Sequence, residues 1–219
     1  SKGNIIYPET LIERYGLDAT KYYLLRELSF GQDSTFTPEG FVERYNFDLC
    51  NDLGNLLNRT IGMMNKYFDG VIPTEFSEKN EPDEALEEFS SKQCRLVEQL
   101  MDDFHISNSL VEIWNLIART NKYIDETAPW VLAKEEKSEK LKSVMFHLAE
   151  SLRKIAILLK AFMPETAEKI FSQLGLDLEN LKTWDSLKSY DVIHKGAKVV
   201  EKGEPLFMRK DKEEEIEYI

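Results

Sequence analysis

The strongest constraint on the fold is a long amphipathic segment that begins at Thr37 and ends at Gly70. Threonine is a favoured N-cap residue, Pro38 suits the first helical position, and glycine is a common helix stop. An unbroken helix of this length spans on the order of 45 Å at 1.5 Å per residue. The segment therefore predicts the spine of a helical bundle. Its apolar side chains recur at helical spacing: Phe41, Tyr45, Leu49, Leu53, Leu56, Leu57, Ile61, Met64 and Phe68.

Four more amphipathic segments have helix start and stop signals, and with the spine they predict an all-α antiparallel bundle over residues 37–175. Trp114 falls on an apolar face and is assigned to the core. Before the bundle, two short helices are predicted, the second capped by Asp18. Residues 129–133 are predicted as a turn because Pro129 disfavours helix in the residue before it. The four segments are 83–103, 107–127 (capped by Ser107 or Asn108), 138–162 and 164–174.

The two ends of the chain are less regular. Residues 1–36 are too few to build a core alone and indicate a connector or the tail of a larger unit. Residues 176–219 have little periodicity and are expected to pack back on the bundle. Their charged end, around 210–217, is predicted to be frayed.

The composition disfavours several classes of protein. The longest wholly apolar stretches are only a few residues, so neither a membrane span nor a signal peptide is predicted. Cys50 and Cys94 lie in separate helical segments, which favours a reducing, cytoplasmic setting. Three scattered histidines predict no metal site. Phosphate-loop and Gly-x-Ser-x-Gly motifs are missing, and no catalytic residue is predicted.

The net charge of −12 disfavours nucleic acid at first sight, since phosphate binding needs lysine and arginine. The charge is uneven, however. Residues 75–103 contain ten acidic and three basic side chains, whereas residues 119–142 contain six basic and five acidic ones. The global charge therefore does not exclude an RNA partner.

A polar cluster in the spine is not required for core packing. Asn55 and Arg59 are four residues apart, so their side chains share one helix face, at the edge of the apolar arc. An amide and a guanidinium offer directional hydrogen bonds to base edges. Alternatively, Arg59 is a solvated cation paired with Asp52 or a loop acid.

Trp130 follows Pro129 at the predicted turn between two helices. A tryptophan is usually a core residue, and burial alone could explain it. On a rigid loop, an indole also presents a stacking surface to an unpaired base. The residues alone leave both interpretations open.

Taken together, the motifs resemble the C-terminal half of bacterial-type methionyl-tRNA synthetases. Residues 1–8 (SKGNIIYP) are similar to the segment that begins at the last residue of the Lys-Met-Ser-Lys-Ser signature in class I synthetases. Residues 15–19 (YGLDA) and 22–27 (YYLLRE) resemble the family's stem-contact segment. The most specific matches are 51–59 (NDLGNLLNR), 65–70 (NKYFDG) and 125–134 (DETAPWVLAK).

The resemblance implies a function and a set of site residues. It implies a stem-contact segment at 1–36, an anticodon-binding domain at 37–175 and a C-terminal extension at 176–219. The implied partner is the methionine tRNA with its CAU anticodon. Trp130 would stack beneath the first base, cytosine. Around it, Asn55, Arg59 and Pro129 would form the recognition site, together with Asn51 and with Asp125, which would disfavour wrong anticodons.

The same resemblance implies that the catalytic domain lies upstream in the same polypeptide and that this chain alone is inactive. ATP, Mg²⁺ and methionine would bind there, and no cofactor is expected in residues 1–219. Two alternatives stay open. One is the anticodon-binding domain of a sibling class I synthetase for leucine, isoleucine, valine or cysteine. The other is a helical scaffold whose acidic helix docks a basic partner.

Overall fold

A computed structural model describes residues 6–27 and 35–219 and confirms the all-α fold. In the described part of the chain, none of the helices is long and apolar enough to cross a membrane. Two short 3₁₀ turns, Glu179–Lys182 and Trp184–Lys188, follow the bundle. The helices are α1 Pro8–Tyr15, α2 Leu17–Glu27, α3 Pro38–Arg44, a π-helical segment Tyr45–Gly54, α4 Asn55–Phe68, α5 Glu81–Asp102, α6 Ile106–Thr127, α7 Pro129–Lys134, α8 Ser138–Leu159, α9 Pro164–Leu174 and α10 Lys212–Tyr218.

The spine is a single helical run with a widened middle. The Thr37 hydroxyl accepts a hydrogen bond from the Gly40 N–H at 3.2 Å, which confirms the predicted N-cap. The run ends at Phe68, and Asp69 then adopts a left-handed conformation with φ of 50°. Between α3 and α4, ten residues are π-helical, a feature that apolar periodicity did not predict. Such segments are rare and often lie at functional sites.

Helix α8 lies at the centre of the bundle. Side chains on all its faces are buried from Leu141 to Leu159, and it packs against α4, α5, α6, α7 and α9. Three of the buried side chains are charged. Arg153 pairs with Glu150 at 2.8 Å and also donates to the Leu181 carbonyl, while Lys154 donates to the Leu187 carbonyl. Buried charges require such partners, and here they hold the C-terminal extension on α8.

Two predicted caps are wrong. Asp18 lies inside α2, and its buried carboxylate accepts from the Thr166 N–H and hydroxyl, both at 2.7 Å. It therefore caps the start of α9, not the start of its own helix. Ser107 and its alternative Asn108 both lie inside α6, which begins after His105, and Ser107 donates to the Arg26 carbonyl, which links α6 to the end of α2.

The segment predicted as a turn at 129–133 is a short helix, α7, which begins at Pro129 because proline is tolerated at a first helical position. The end that was expected to be frayed forms α10 and packs on α3. Buried Glu215 accepts two hydrogen bonds from Arg14, at 2.6 and 2.8 Å, and one from Tyr15. The charge run at 212–217 is thus held by a partner 201 residues away in the sequence.

The bend after α9 depends on a glycine. Gly175 has φ of +67°, and a Cβ there would lie 1.9 Å from the Lys198 carbonyl oxygen. We predict that Gly175→Ala lowers the free energy of unfolding by about 3 kcal/mol or more, because left-handed strain adds to a backbone clash. Gly62→Ala, on the exposed face of α4 with open space around it, should stabilise by about 0.5–1 kcal/mol. Urea unfolding of both variants measures this, and a Gly175→Ala protein of wild-type stability would contradict it.

The α10 contact should make stability depend on pH. The Arg14 guanidinium holds the pKa of the Glu215 carboxyl below its usual range. A depressed carboxyl pKa contributes stability that is present above the unfolded pKa, about 4.3, and that is lost as the pH falls. We predict that Glu215→Gln lowers the free energy of unfolding by about 1–3 kcal/mol at pH 7. The difference in unfolding free energy between this variant and the wild type should become smaller below about pH 4.

The matched control for this prediction is Glu43→Gln. Glu43 of α3 pairs at 2.6 Å with Lys212, which lies on α10 as Glu215 does, but both side chains are half exposed. An exposed pair is worth about 1 kcal/mol or less. Unfolding of both variants between pH 3 and pH 7 separates the buried from the exposed contact, and equal losses at pH 7 would speak against the buried one.

Candidate nucleic-acid interface

One wall of the candidate interface comes from α4. Asn55 is the first residue of α4 and is exposed. Arg59 follows one turn later on the same face, and its Nη2 lies 3.3 Å from Oδ1 of Asp125 on α6. Arg59 therefore pairs with an acid of a neighbouring helix and not with Asp52. Because both side chains of this pair are partly in solvent, the pair contributes little stability and can exchange for another partner.

The second wall comes from the junction of α6 and α7. Helix α6 ends at Thr127, and Ala128 takes a left-handed conformation with φ of 42°. Pro129 is buried and begins α7, which fixes the direction of the next residue. Trp130 is 47% exposed, whereas Trp114 is 8% exposed and packs on Tyr22 with ring centroids 4.3 Å apart. The indole of Trp130 is thus presented on a rigid corner.

The third part of the candidate interface is the π-helical segment, which leads directly into α4 and packs against α6. Asn51 is half-buried there, and the following carbonyl, that of Asp52, accepts a hydrogen bond from Asn121 Nδ2 on α6 at 3.1 Å. Burial and the neighbouring Asp48 raise the pKa of the Asp52 carboxyl. Asn121 was not singled out from the sequence, since a lone amide on a helix has no distinguishing signal. Its position on α6, two turns after Trp114, indicates only that it lies on the same side of the helix as that core residue.

The structure brings together some of the predicted site residues. Arg59 and Asp125 are in direct contact. Within the described ranges, the side chains of Asn51, Asn55 and Trp130 make no hydrogen bond or ion pair, so their polar groups are available to a ligand. The set comprises two amides, a guanidinium, a carboxylate and an indole face. These groups suit directional hydrogen bonding and stacking, the means by which unpaired bases are read.

Two family models match the chain. One, described as "tRNA synthetases class I (M)", matches residues 1–61, and the other, described as "Anticodon binding domain of methionyl tRNA ligase", matches residues 72–219. The second model covers more than half of the chain. The chain belongs to the methionyl-tRNA ligase anticodon-binding family. Membership accounts for the helical bundle and fits the resemblance in the sequence motifs.

Curated relatives and solved structures agree with this family. The chain is 57% identical over 220 residues to methionine–tRNA ligase of Listeria innocua and equally to that of Bacillus subtilis. All of the chain and 33% of each relative are aligned, so the chain spans about a third of the length of the curated relatives it matches.

Among solved structures, free Mycobacterium tuberculosis methionyl-tRNA synthetase superposes with a TM-score of 0.86 at 31% identity. That match covers 94% of this chain and 41% of the other. The structure of the same enzyme in complex with methionyl-adenylate superposes with a TM-score of 0.86 at 32% identity, over 94% of this chain and 40% of the other.

The different burial of two tryptophans gives a test that needs no RNA. We predict that Trp114→Ala lowers the free energy of unfolding by about 3–5 kcal/mol, as expected for a core aromatic. Trp130→Ala should cost about 1 kcal/mol or less, since much of the indole faces solvent. Chemical denaturation followed by far-UV circular dichroism measures both. A loss for Trp130→Ala as large as that for Trp114→Ala would instead identify Trp130 as a core residue.

Proposed function

We propose that this chain is the anticodon-recognition module of a methionyl-tRNA ligase and that it reads the CAU anticodon of the methionine tRNA. The observation that carries the proposal is an exposed tryptophan at the α6–α7 corner, five residues along the chain from Asp125 of the exchangeable Arg59–Asp125 pair, in a chain of the anticodon-binding family. Residues 1–36 would be its stem-contact segment, residues 37–175 the anticodon-binding bundle and residues 176–219 the extension.

The recognition would proceed by stacking and exchange of partners. A flipped cytosine stacks on Trp130, a contact worth about 1–3 kcal/mol per base. Arg59 leaves Asp125 and, with the Asn55 amide, makes hydrogen bonds to the base edge. The freed Asp125 carboxylate can only accept hydrogen bonds, so it penalises a base that presents acceptors at that point. Buried Pro129 keeps the indole in place, and Asn51 contributes a further amide from the π-helical segment.

In the whole ligase, we propose that an upstream catalytic domain binds ATP with Mg²⁺ and methionine and attaches methionine to the tRNA. This chain would position that tRNA and would be inactive alone. Cys50 and Cys94 are both free thiols, which suits a cytoplasmic enzyme in a reducing compartment.

A comparison of two RNA hairpins tests the proposal. We predict that the chain binds an anticodon stem-loop with a CAU loop at least about tenfold more tightly than the same hairpin with a GAU loop, because discrimination of one base is worth about 1–3 kcal/mol in nucleic-acid recognition. Trp130→Ala should weaken binding to the CAU hairpin by about tenfold or more, and Arg59→Ala should reduce the ratio between the two hairpins. Fluorescence anisotropy with labelled hairpins at fixed salt gives all these values.

The chain offers a matched control for Trp130. Trp184 is 37% exposed and donates to Glu98 on α5, on a part of the surface formed by other elements. Trp184→Ala should leave both affinities unchanged. Equal affinity of the wild-type chain for both hairpins, or equal effects of the two tryptophan variants, would refute the proposal.

A further inference from the structure

Side chains of α6 contact the spine helix at three successive levels. The indole Nε1 of Trp114 donates to the Asp48 carbonyl at 3.3 Å. Asn121 Nδ2 donates to the Asp52 carbonyl at 3.1 Å, and Asp125 pairs with Arg59 at 3.3 Å. The contacts advance in the same direction along both helices, so α6 and the spine run parallel where they meet.

The first two contacts are made to backbone carbonyls of the π-helical segment. A π-helical turn accommodates an extra residue, so its hydrogen bonds are looser and its backbone is less stable than an α-helix. Relaxation of this segment to an α-helix would rotate Asn51 relative to Asn55 and Arg59 by about 100°, the angle of one residue. Partners that stabilise the widened form therefore set the relative directions of the proposed base-reading side chains.

We infer that Asn121 is a positioning residue for base recognition: its amide holds the π-helical segment against α6 while a base displaces Asp125 from Arg59. This inference rests on the proposed function. Among the described residues, the polar side-chain contacts that hold α6 to the spine beside Arg59 are the Asn121 amide and the Arg59–Asp125 pair. Binding of RNA would break the Arg59–Asp125 pair, so the Asn121 amide would keep α6 and the spine in register in the complex.

Asn121 suits this role better than Trp114. It lies one turn before Asp125 on the same face of α6, directly beside the site. It is half-buried and contributes little to the core, whereas Trp114 is buried against Tyr22. Its amide also donates to the Ile117 carbonyl at 3.3 Å, a contact within α6 that holds the side chain in one orientation.

Three substitutions separate positioning from general stability. Asn121→Leu has a similar size and lacks the donor, and Asn121→Asp has the same shape but places an acceptor against the Asp52 carbonyl. Asn121→Gln keeps the donor on a longer chain. The control is Asn115→Leu, because Asn115 is an exposed amide of α6 that donates to Glu112 on the same helix.

We predict that Asn121→Leu and Asn121→Asp reduce the ratio of CAU to GAU hairpin affinities by about 3- to 10-fold, the value of one hydrogen bond. Asn121→Gln should recover part of the ratio, and Asn115→Leu should keep all of it. Hydrogen–deuterium exchange without RNA should become at least several-fold faster for amides 50–59 in the first two variants. Amides of α8 should keep their wild-type protection.

The ratio of hairpin affinities and the hydrogen–deuterium exchange rates test different claims. If the wild-type chain does not distinguish the hairpins, the proposed function is wrong, and the exchange rates still test the contact. Unchanged exchange at 50–59 in Asn121→Leu would overturn the positioning role, as would an unchanged affinity ratio when the wild type does discriminate. A uniform rise in exchange across α8 would also overturn it, because Asn121 would then be a general structural residue.

Discussion

The pair formed by Glu150 and Arg153 inside α8 is the interaction on which the rest of the structure depends. Both side chains are fully buried, a placement that is costly unless every donor and acceptor is used. Burial raises the pKa of Glu150, while Arg153 and the N–H groups of Val192 and Ile193 oppose that rise. Arg153 donates further to the Ser186 hydroxyl and carbonyl. The extension therefore completes the core, because its removal would strand two charges inside the bundle.

From α8, a second buried network reaches the candidate interface. Asp83 is fully buried and accepts hydrogen bonds from Ser143 on α8 and Tyr123 on α6, both at 2.6 Å, while it also caps its own helix through Asn80. Tyr123 lies two residues before Asp125 on α6. Because a half-satisfied buried carboxylate is unfavourable, the three helices are fixed to one another at this point. The corner that presents Trp130 is thus attached to the core, and rigid presentation lowers the entropic cost of binding.

The main helices could be predicted from the sequence because their apolar residues repeat with the period of a helix and their ends carry Pro, Gly or Thr signals. Features that depend on contacts between residues far apart in the chain could not be predicted from the sequence. The charge run at 212–217 gives no sign of α10 until Arg14 is seen beside Glu215, and Asp18 looks like a local cap until Thr166 is placed next to it. The π-helical segment is invisible to periodicity, because Leu49 and Leu53 fit a 3.6-residue repeat equally well. The spacing of Asn55 and Arg59 indicated a shared face, whereas the Asp125 partner, 66 residues away, required the fold.

The distribution of charge favours directional contacts over charge attraction as the basis of the proposed RNA recognition. Most basic side chains at 119–142 already have acidic partners: Arg119 and Lys122 contact Glu126, Lys137 contacts Glu135, and Lys142 contacts Glu139. Such neutralised cations release few counterions on binding a phosphate backbone, so non-specific affinity should be low in a chain of net charge −12. Under the proposed function, affinity for RNA would then come from stacking and from hydrogen bonds to base edges, both of which require accurate placement of the side chains. Such a surface would gain selectivity from the same contacts that supply its affinity. The geometry held by α6 and the spine would then matter more than the number of cations.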